Sequence, residues 1–152
     1  MQVTGSREAR VRTKDRRIEA LGKVPLLSGL SKRDLRRIFD LGTEEEFFPG
    51  KVIVKAGNQA RDFYLILQGT AQLTVPGRRT VLLSPGDYFG EMAVLDGGPR
   101  SATIVAETHV SVLRIGRSHF LKLLDSYGSI GRKILVEMSK HVRAAETAWR
   151  RH

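Results

Sequence analysis

The stretch Phe89-Gly90-Glu91-Met92-Ala93-Val94-Leu95-Asp96-Gly97-Gly98-Pro99-Arg100-Ser101-Ala102 decides how this chain is read. A glycine precedes a carboxylate, a short apolar turn, a glycine pair and an arginine set between proline and serine. Gly90 has no Cβ, so its backbone admits a ligand at close range. A single helical turn over 91–95 would leave its first N–H groups aimed at an anion. Arg100 supplies a planar fork of donors suited to a phosphate oxygen. Glu91, when ionised, only accepts, so its complement is a hydroxyl such as that of a ribose. The segment therefore has the parts to hold a phosphate and a sugar hydroxyl together. The competing account is a simple Glu91–Arg100 ion pair beside a turn, worth under about 1 kcal/mol if exposed.

On either side of this stretch, residues 47–115 read as β. Short apolar runs (Val52–Val54, Phe63–Leu67, Ala71–Val75, Val81–Leu83, Ala102–Ala106, Val110–Ile115) alternate with turn residues. Pro49-Gly50, Ala56-Gly57-Asn58, Gln68-Gly69, Pro76-Gly77 and Pro85-Gly86-Asp87 punctuate them. Strands this short and closely spaced indicate a compact barrel or roll. The acidic run Glu44-Glu45-Glu46 leads into them and reads as a solvated strand edge.

The ends are helical. Residues 1–5 carry no structural signal. A basic helix is expected from Ser6 to about Lys23, with Val11, Ile18 and Leu21 on one thin stripe, interrupted at Pro25. Ser31 with Asp34 forms a short-armed capping box before Leu35, Ile38, Phe39 and Leu41. Ser118 is positioned to cap a helix carrying Phe120, Leu121, Leu123 and Leu124. A last helix, from about Ser129, places Ile130, Ile134, Leu135, Met138, Val142, Ala145 and Trp149 on one stripe.

The FGEMAVLDGGPRSAT run resembles the phosphate-binding cassette of cyclic nucleotide-binding domains, whose pattern is F-G-E-x-A followed by P-R-[S/T/A]-A. PLLSGLSKRDL (25–35), FFPGKVIVKAG (47–57), FYLILQG (63–69) and SPGDYFGE (84–91) resemble the same family's helical entry and roll. The family includes catabolite activators and the regulatory subunits of protein kinase A. The resemblance spans about residues 24–150 and implies an α+β fold, an antiparallel β-roll (jelly-roll-like, a double-stranded β-helix) flanked by N-terminal helices and two C-terminal helices. Residues 1–23 then form a basic N-terminal helical extension. The domain proper, 24–152, has its helical entry at 25–42, its β-roll at 47–115 with the cassette at 89–102, and C-terminal helices at 118–127 and 129–150.

The same resemblance implies residue roles. Arg100 meets the cyclic phosphate, Glu91 takes the ribose 2′-hydroxyl, and backbone N–H groups around Gly90, Met92, Ala93 and Ala102 complete the cradle. Ser101 stands where a hydroxyl reaches the guanine edge in cyclic-GMP binders, yet serine also occurs there in cyclic-AMP binders; capping the adjoining turn is a third role. Cyclic AMP is favoured on the wider likeness to bacterial members. Val81 and Leu83 line the base pocket or serve as plain core. Trp149 closes over the base as an aromatic lid, packs within its helix, or meets a second copy. The chain departs from the family at Gly57-Asn58-Gln59-Ala60, where many members carry a second turn glycine, a change expected to touch no ligand position.

Composition narrows the remaining classes. The 152 residues suit one domain with a sizeable core. There is no cysteine, so no disulfide, thiol nucleophile or cysteine-held metal. The Arg-rich start is not a secretory signal, and the longest apolar run, Phe63 to Leu67, is far short of a membrane span, so a cytoplasmic protein is expected. Net charge is +10, distributed as +7 over 1–37, −1 over 38–127 and +4 over 128–152. Basic ends of this kind meet acidic partners, membrane surfaces or nucleic acid, or are solvated helix faces. No aromatics interleave with the N-terminal charges, so nucleic acid is not the expected partner. His109, His119, His141 and His152 lack metal-ligand spacing, and neither a nucleophile elbow nor a P-loop occurs. The expectation is a stand-alone, non-enzymatic sensor without a metal, with no helix-turn-helix after the last helix, signalling through a protein effector or a homodimer formed by the C-terminal helix. A scaffold of the same fold that ignores nucleotide, a basic nucleic-acid binder, and a regulatory domain excised from a larger enzyme or channel are the alternatives.

Overall fold

Strand alternation sorts the buried residues into two cores. The computed structural model describes residues 14–59, 61–77, 80–100 and 102–150; the side chains at 92, 93, 96, 141, 142 and 144–150 lie outside that description. In β8 (Val110–Ile115), Val110, Val112 and Arg114 share one face, and Ser111, Leu113 and Ile115 the other. β8 runs between β1 (Thr43–Phe47) and β3 (Phe63–Gln68), and β6 (Tyr88–Phe89) completes the sheet in the order β1-β8-β3-β6. The second sheet contains β2 (Val52–Val54), β4 (Ala71–Thr74), β5 (Thr80–Leu83) and β7 (Thr103–Ala106), in the order β2-β7-β4-β5. Every pairing in both sheets is antiparallel.

Between the two sheets lie Ile53, Val54, Tyr64, Ile66, Phe89, Ile104, Val110 and Val112. On the outer face of the first sheet, Phe63, Leu65, Leu113 and Ile115 pack against Ile18, Leu21, Leu35, Ile38, Phe120, Leu123, Ile130 and Ile134 from the helices. A sheet covered on both faces needs apolar residues at successive positions, which is why Phe63 to Leu67 is unbroken. The fold is the α+β antiparallel roll flanked by helices that the sequence implies.

Among the described residues, four helices and a short 3₁₀ turn brace the roll, with a fifth helix between β6 and β7. Helix α1 (14–22) buries Ile18 and Leu21 as expected; Val11 lies outside the described residues. A 3₁₀ turn, Pro25–Leu27, leads to α2 (Lys32–Leu41), where Ser31 Oγ accepts the Asp34 N–H at 3.1 Å. The Asp34 carboxylate accepts the Tyr127 hydroxyl at 3.0 Å, so one residue both takes part in the cap of α2 and fastens that helix to the C-terminal end of α4. Helix α3 (Glu91–Asp96) lies in the cassette.

Two helical details differ from expectation. Helix α4 (Arg117–Ser126) has Gly116 at its N-cap and so no side-chain cap, which places Ser118 inside the first turn rather than at the cap. In α5 (Gly128–Arg150), Ile130 and Ile134 are buried and Met138 half-buried, but Leu135 is 63% exposed. One helical step turns about 100°, which carries Leu135 off the stripe that Ile134 occupies. The side chains of Val142, Ala145 and Trp149 fall outside the description. The acidic run lies within β1 at the sheet edge, where Glu44 pairs with Arg17 at 2.6 Å and Glu45 with Arg114 at 2.7 Å. Among the described residues no helix is long and apolar enough to cross a membrane.

Candidate functional site

The cassette leaves β6 through Gly90, whose φ of +94° only glycine adopts without strain. A Cβ here would collide with the Asp62 carbonyl and stand 2.5 Å from Arg100 Nη1. The chain then turns directly into α3, with the Val94 N–H on Gly90 O at 3.1 Å. The expected helical turn is therefore present, and its leading N–H groups have no carbonyl behind them within the helix. Arg117 Nε donates to Val94 O at 2.9 Å and fixes the turn from the side of α4.

Beyond α3 the main chain of Arg100 is tied at both of its polar groups. Its N–H donates to Asn58 O at 2.9 Å, and its carbonyl accepts from Gly57 N–H at 2.8 Å. The turn at 57–58, expected to touch no ligand position, is thus bonded to the main chain of the cassette arginine. Only 6% of Arg100 is exposed. Its Nη2 donates to Asp62 O at 2.6 Å, and its Cζ lies 5.6 Å from the centre of the Tyr64 ring. Tyr64 in turn stacks on Phe89 at 4.9 Å.

Arg100 Nε and Nη1 are buried and have no hydrogen-bond partner among the described residues. Burial lowers the Arg100 pKa, opposed by Tyr64, Asp62 and Glu91, yet a guanidinium stays charged in a protein. A charged group buried with two unused donors is costly unless an anion completes it. The residues present therefore fit an anionic group at this position.

Arg100 lines a cleft of about 1000 Å³. Gly90, Glu91, Arg100 and Ala102 line it from the cassette. Val54, Leu73, Val81, Leu83 and Ile104 supply an apolar wall, while Pro25, Leu26, Arg132, Val136 and Met138 face them from the 3₁₀ turn and α5. Gly90, Glu91, Arg100, Ala102, Val81 and Leu83 are thus brought to one cavity, with Leu83 buried and Val81 49% exposed. Ser101 lies outside the described residues, as do the side chains of Met92, Ala93 and Trp149. Burial, aided by Glu91 and Glu137, pushes the Tyr88 phenol up to about 12. No group able to hold a metal ion occurs among the described residues.

From the sequence alone Asp62, Leu73 and Ile104 were not picked out, nor were Arg132, Val136 and Met138 of α5 as lining residues. Leu73 was within reach: it stands opposite Val81 across the hairpin that turns at Pro76-Gly77. Asp62 acts on Arg100 through its main-chain carbonyl, which leaves no side-chain signature.

Solved structures carry the same roll. Thermus thermophilus catabolite activator protein matches with a TM-score of 0.74 and 28% identity, over 82% of this chain and 61% of that one. The regulatory domain of Toxoplasma gondii protein kinase A, solved with cAMP, matches with a TM-score of 0.74 and 27% identity, over 88% of this chain and 52% of that one. In sequence, the cAMP-dependent protein kinase regulatory subunit of Pyricularia oryzae is 36% identical over 115 residues, 74% of this chain and 30% of the relative. That of Debaryomyces hansenii is 39% identical over 117 residues, 74% of this chain and 26% of the relative. The chain thus spans less than a third of the length of these curated relatives. The family description "Cyclic nucleotide-binding domain" matches residues 44–127, from β1 through α4 and across the whole cassette, and the chain belongs to that family.

Proposed function

We propose that this cleft binds a cyclic nucleotide, cyclic AMP in preference to cyclic GMP, and that α5 carries the result to a partner protein or a second copy. The observation that carries the reading is Arg100, buried with Nε and Nη1 unused and set beside the first turn of α3. In this reading Arg100 and the N–H groups of Gly90, Met92, Ala93 and Ala102 take the phosphate, and Glu91 takes the ribose 2′-hydroxyl. Val81 and Leu83 hold the base against the apolar wall, Ser101 meets its edge, and Trp149 covers it. Support for cyclic AMP comes from relatives named as cAMP-dependent kinase regulatory subunits and from a similar domain solved with cAMP. A role for α5 in output is supported by its presence at the cleft and by Leu135, which leaves an apolar side chain on its outer surface.

Calorimetric titration of nucleotide-free protein with cyclic AMP and cyclic GMP tests this. Micromolar or tighter binding of cyclic AMP is expected, abolished in Arg100→Ala and weakened in Glu91→Ala. Absence of heat with both nucleotides, in protein shown to be folded and empty, would overturn the reading.

A further inference from the structure

The inner face of the first sheet is apolar along most of its length and ends in a charged row. Residues alternate along a strand, so Phe47 and Glu45 share this face in β1, and Val110, Val112 and Arg114 share it in β8. On the β3 side the same face carries Ile66, Tyr64 and, one step before the strand, Asp62. Arg114 stands directly opposite Thr43 on one side and Tyr64 on the other. Glu45 and Asp62 are therefore its diagonal neighbours, within reach of a long side chain. Arg114 uses both: Nε lies 2.7 Å from Glu45 Oε1, and Nη1 donates to Asp62 Oδ2 at 3.2 Å.

Asp62 is also the residue whose carbonyl receives Arg100 Nη2 at 2.6 Å. Its carboxylate is thus anchored by Arg114 and its carbonyl holds Arg100. A guanidinium is planar, so the bond at Nη2 sets the plane and with it the directions of Nε and Nη1. The Tyr64 ring beside Cζ backs the same plane, and Tyr64 is the strand partner of Arg114. Three strands, β1, β8 and β3, converge through Arg114 on the orientation of one buried cation.

The geometry points to Arg114 as a positioning residue for Arg100, acting through Asp62 and itself held by Glu45. The inference rests on the proposed role of Arg100 in binding a cyclic phosphate. Arg114 touches no ligand in this scheme. It limits the main-chain freedom of Asp62, so that the donors Nε and Nη1 are already aimed when the anion arrives, and less freedom is lost on binding.

The test is a double-mutant cycle on the full chain, with cyclic AMP affinity measured by calorimetry and folding checked by thermal melts. Arg114→Met should weaken binding about tenfold, within the range for residues coupled in one network, while the protein stays folded. In an Arg100→Lys background, which keeps a cation but lacks the fork, the same change should cost little more. Asp62→Asn, which keeps the carbonyl but loses the charge-assisted anchor, should reproduce Arg114→Met. Equal losses in both backgrounds, or no loss with Arg114→Met, would overturn the assignment.

A second readout does not depend on ligand. The ¹⁵N–¹H signal of Arg100 Nε should shift and broaden in Arg114→Met without nucleotide present, and stay unchanged if Arg114 has no hold on Arg100. If the parent chain binds neither nucleotide, the binding role fails, and this spectrum alone decides whether Arg114 orients Arg100.

Discussion

Gly90 and Arg100 can be close only because one of them has no side chain. The φ of +94° strains any L-residue, and the Cβ would meet the Asp62 carbonyl and the guanidinium together. Gly90→Ala should destabilise the fold by about 1–3 kcal/mol from backbone strain alone, and more from the collision. It should also remove cyclic nucleotide binding, because the only group able to yield is Arg100. Gly50→Ala is the matched control: φ is +88°, but nothing lies within 4 Å of the added atom. It should cost about 1–2 kcal/mol and leave binding intact, as urea unfolding and titration of both variants would show. Gly90, Glu91 and Arg100, which share the cavity, could be picked out in the sequence because the role proposed for each rests on its residue type. Asp62 was not, since a main-chain carbonyl is available at every position and only the fold selects which one is used. Arg114 was hidden for a related reason, because its partners Glu45 and Asp62 are distant in sequence and become diagonal neighbours only through strand register.

Helix starts show the same division between local and tertiary information. Ser31 was legible as a cap because its partner, the Asp34 N–H, lies three residues away. Ser118 is of an equally suitable type, yet α4 begins at Arg117 with Gly116 at its N-cap, since β8 runs to Ile115 and the chain passes from the strand directly into the helix. Ser31→Ala should therefore cost about 1 kcal/mol of stability, whereas Ser118→Ala should stay within about 0.5 kcal/mol. Comparable losses for the two in urea unfolding would contradict the observed cap. Asp34 adds a pH dependence to this element. The Ser31 hydroxyl, then that of Tyr127, holds its carboxyl below the ordinary value of 3.8. A depressed pKa contributes stability above the ordinary value and loses it as pH falls through the folded one. Asp34→Asn should thus melt below the parent chain at pH 6, and the gap should close as pH drops below about 3.8. A gap that persists to pH 2 would mean that the carboxylate charge plays no part in fastening α2 to Tyr127.

The distribution of charge separates two kinds of anion binding that the basic ends and the cassette could each support. Residues 1–37 carry +7 and 128–152 carry +4, while the roll between them is close to neutral at −1. That division was legible from the sequence, as were the strands and the helical ends; the order in which the strands pair was not. The neighbours β1 and β8 are separated by most of the roll, and only their packing places Arg114 between Glu45 and Asp62. On α1 and α2 and in the turn after α1, Arg16, Lys23, Lys32, Arg33 and Arg37 are exposed, so they are screened by salt within about 10 Å at 0.1 M. Arg100 is buried and reached only inside the cleft, where screening is weak. Cyclic AMP affinity should then change by less than about threefold between 50 and 500 mM salt. A polyanion such as heparin, held by the exposed helices through several contacts, should lose affinity by orders of magnitude over the same range. Titrations of both ligands across that range check this. If cyclic AMP instead followed the steep salt dependence of heparin, the nucleotide would be held by the basic helices, and the cassette would not be its binding site.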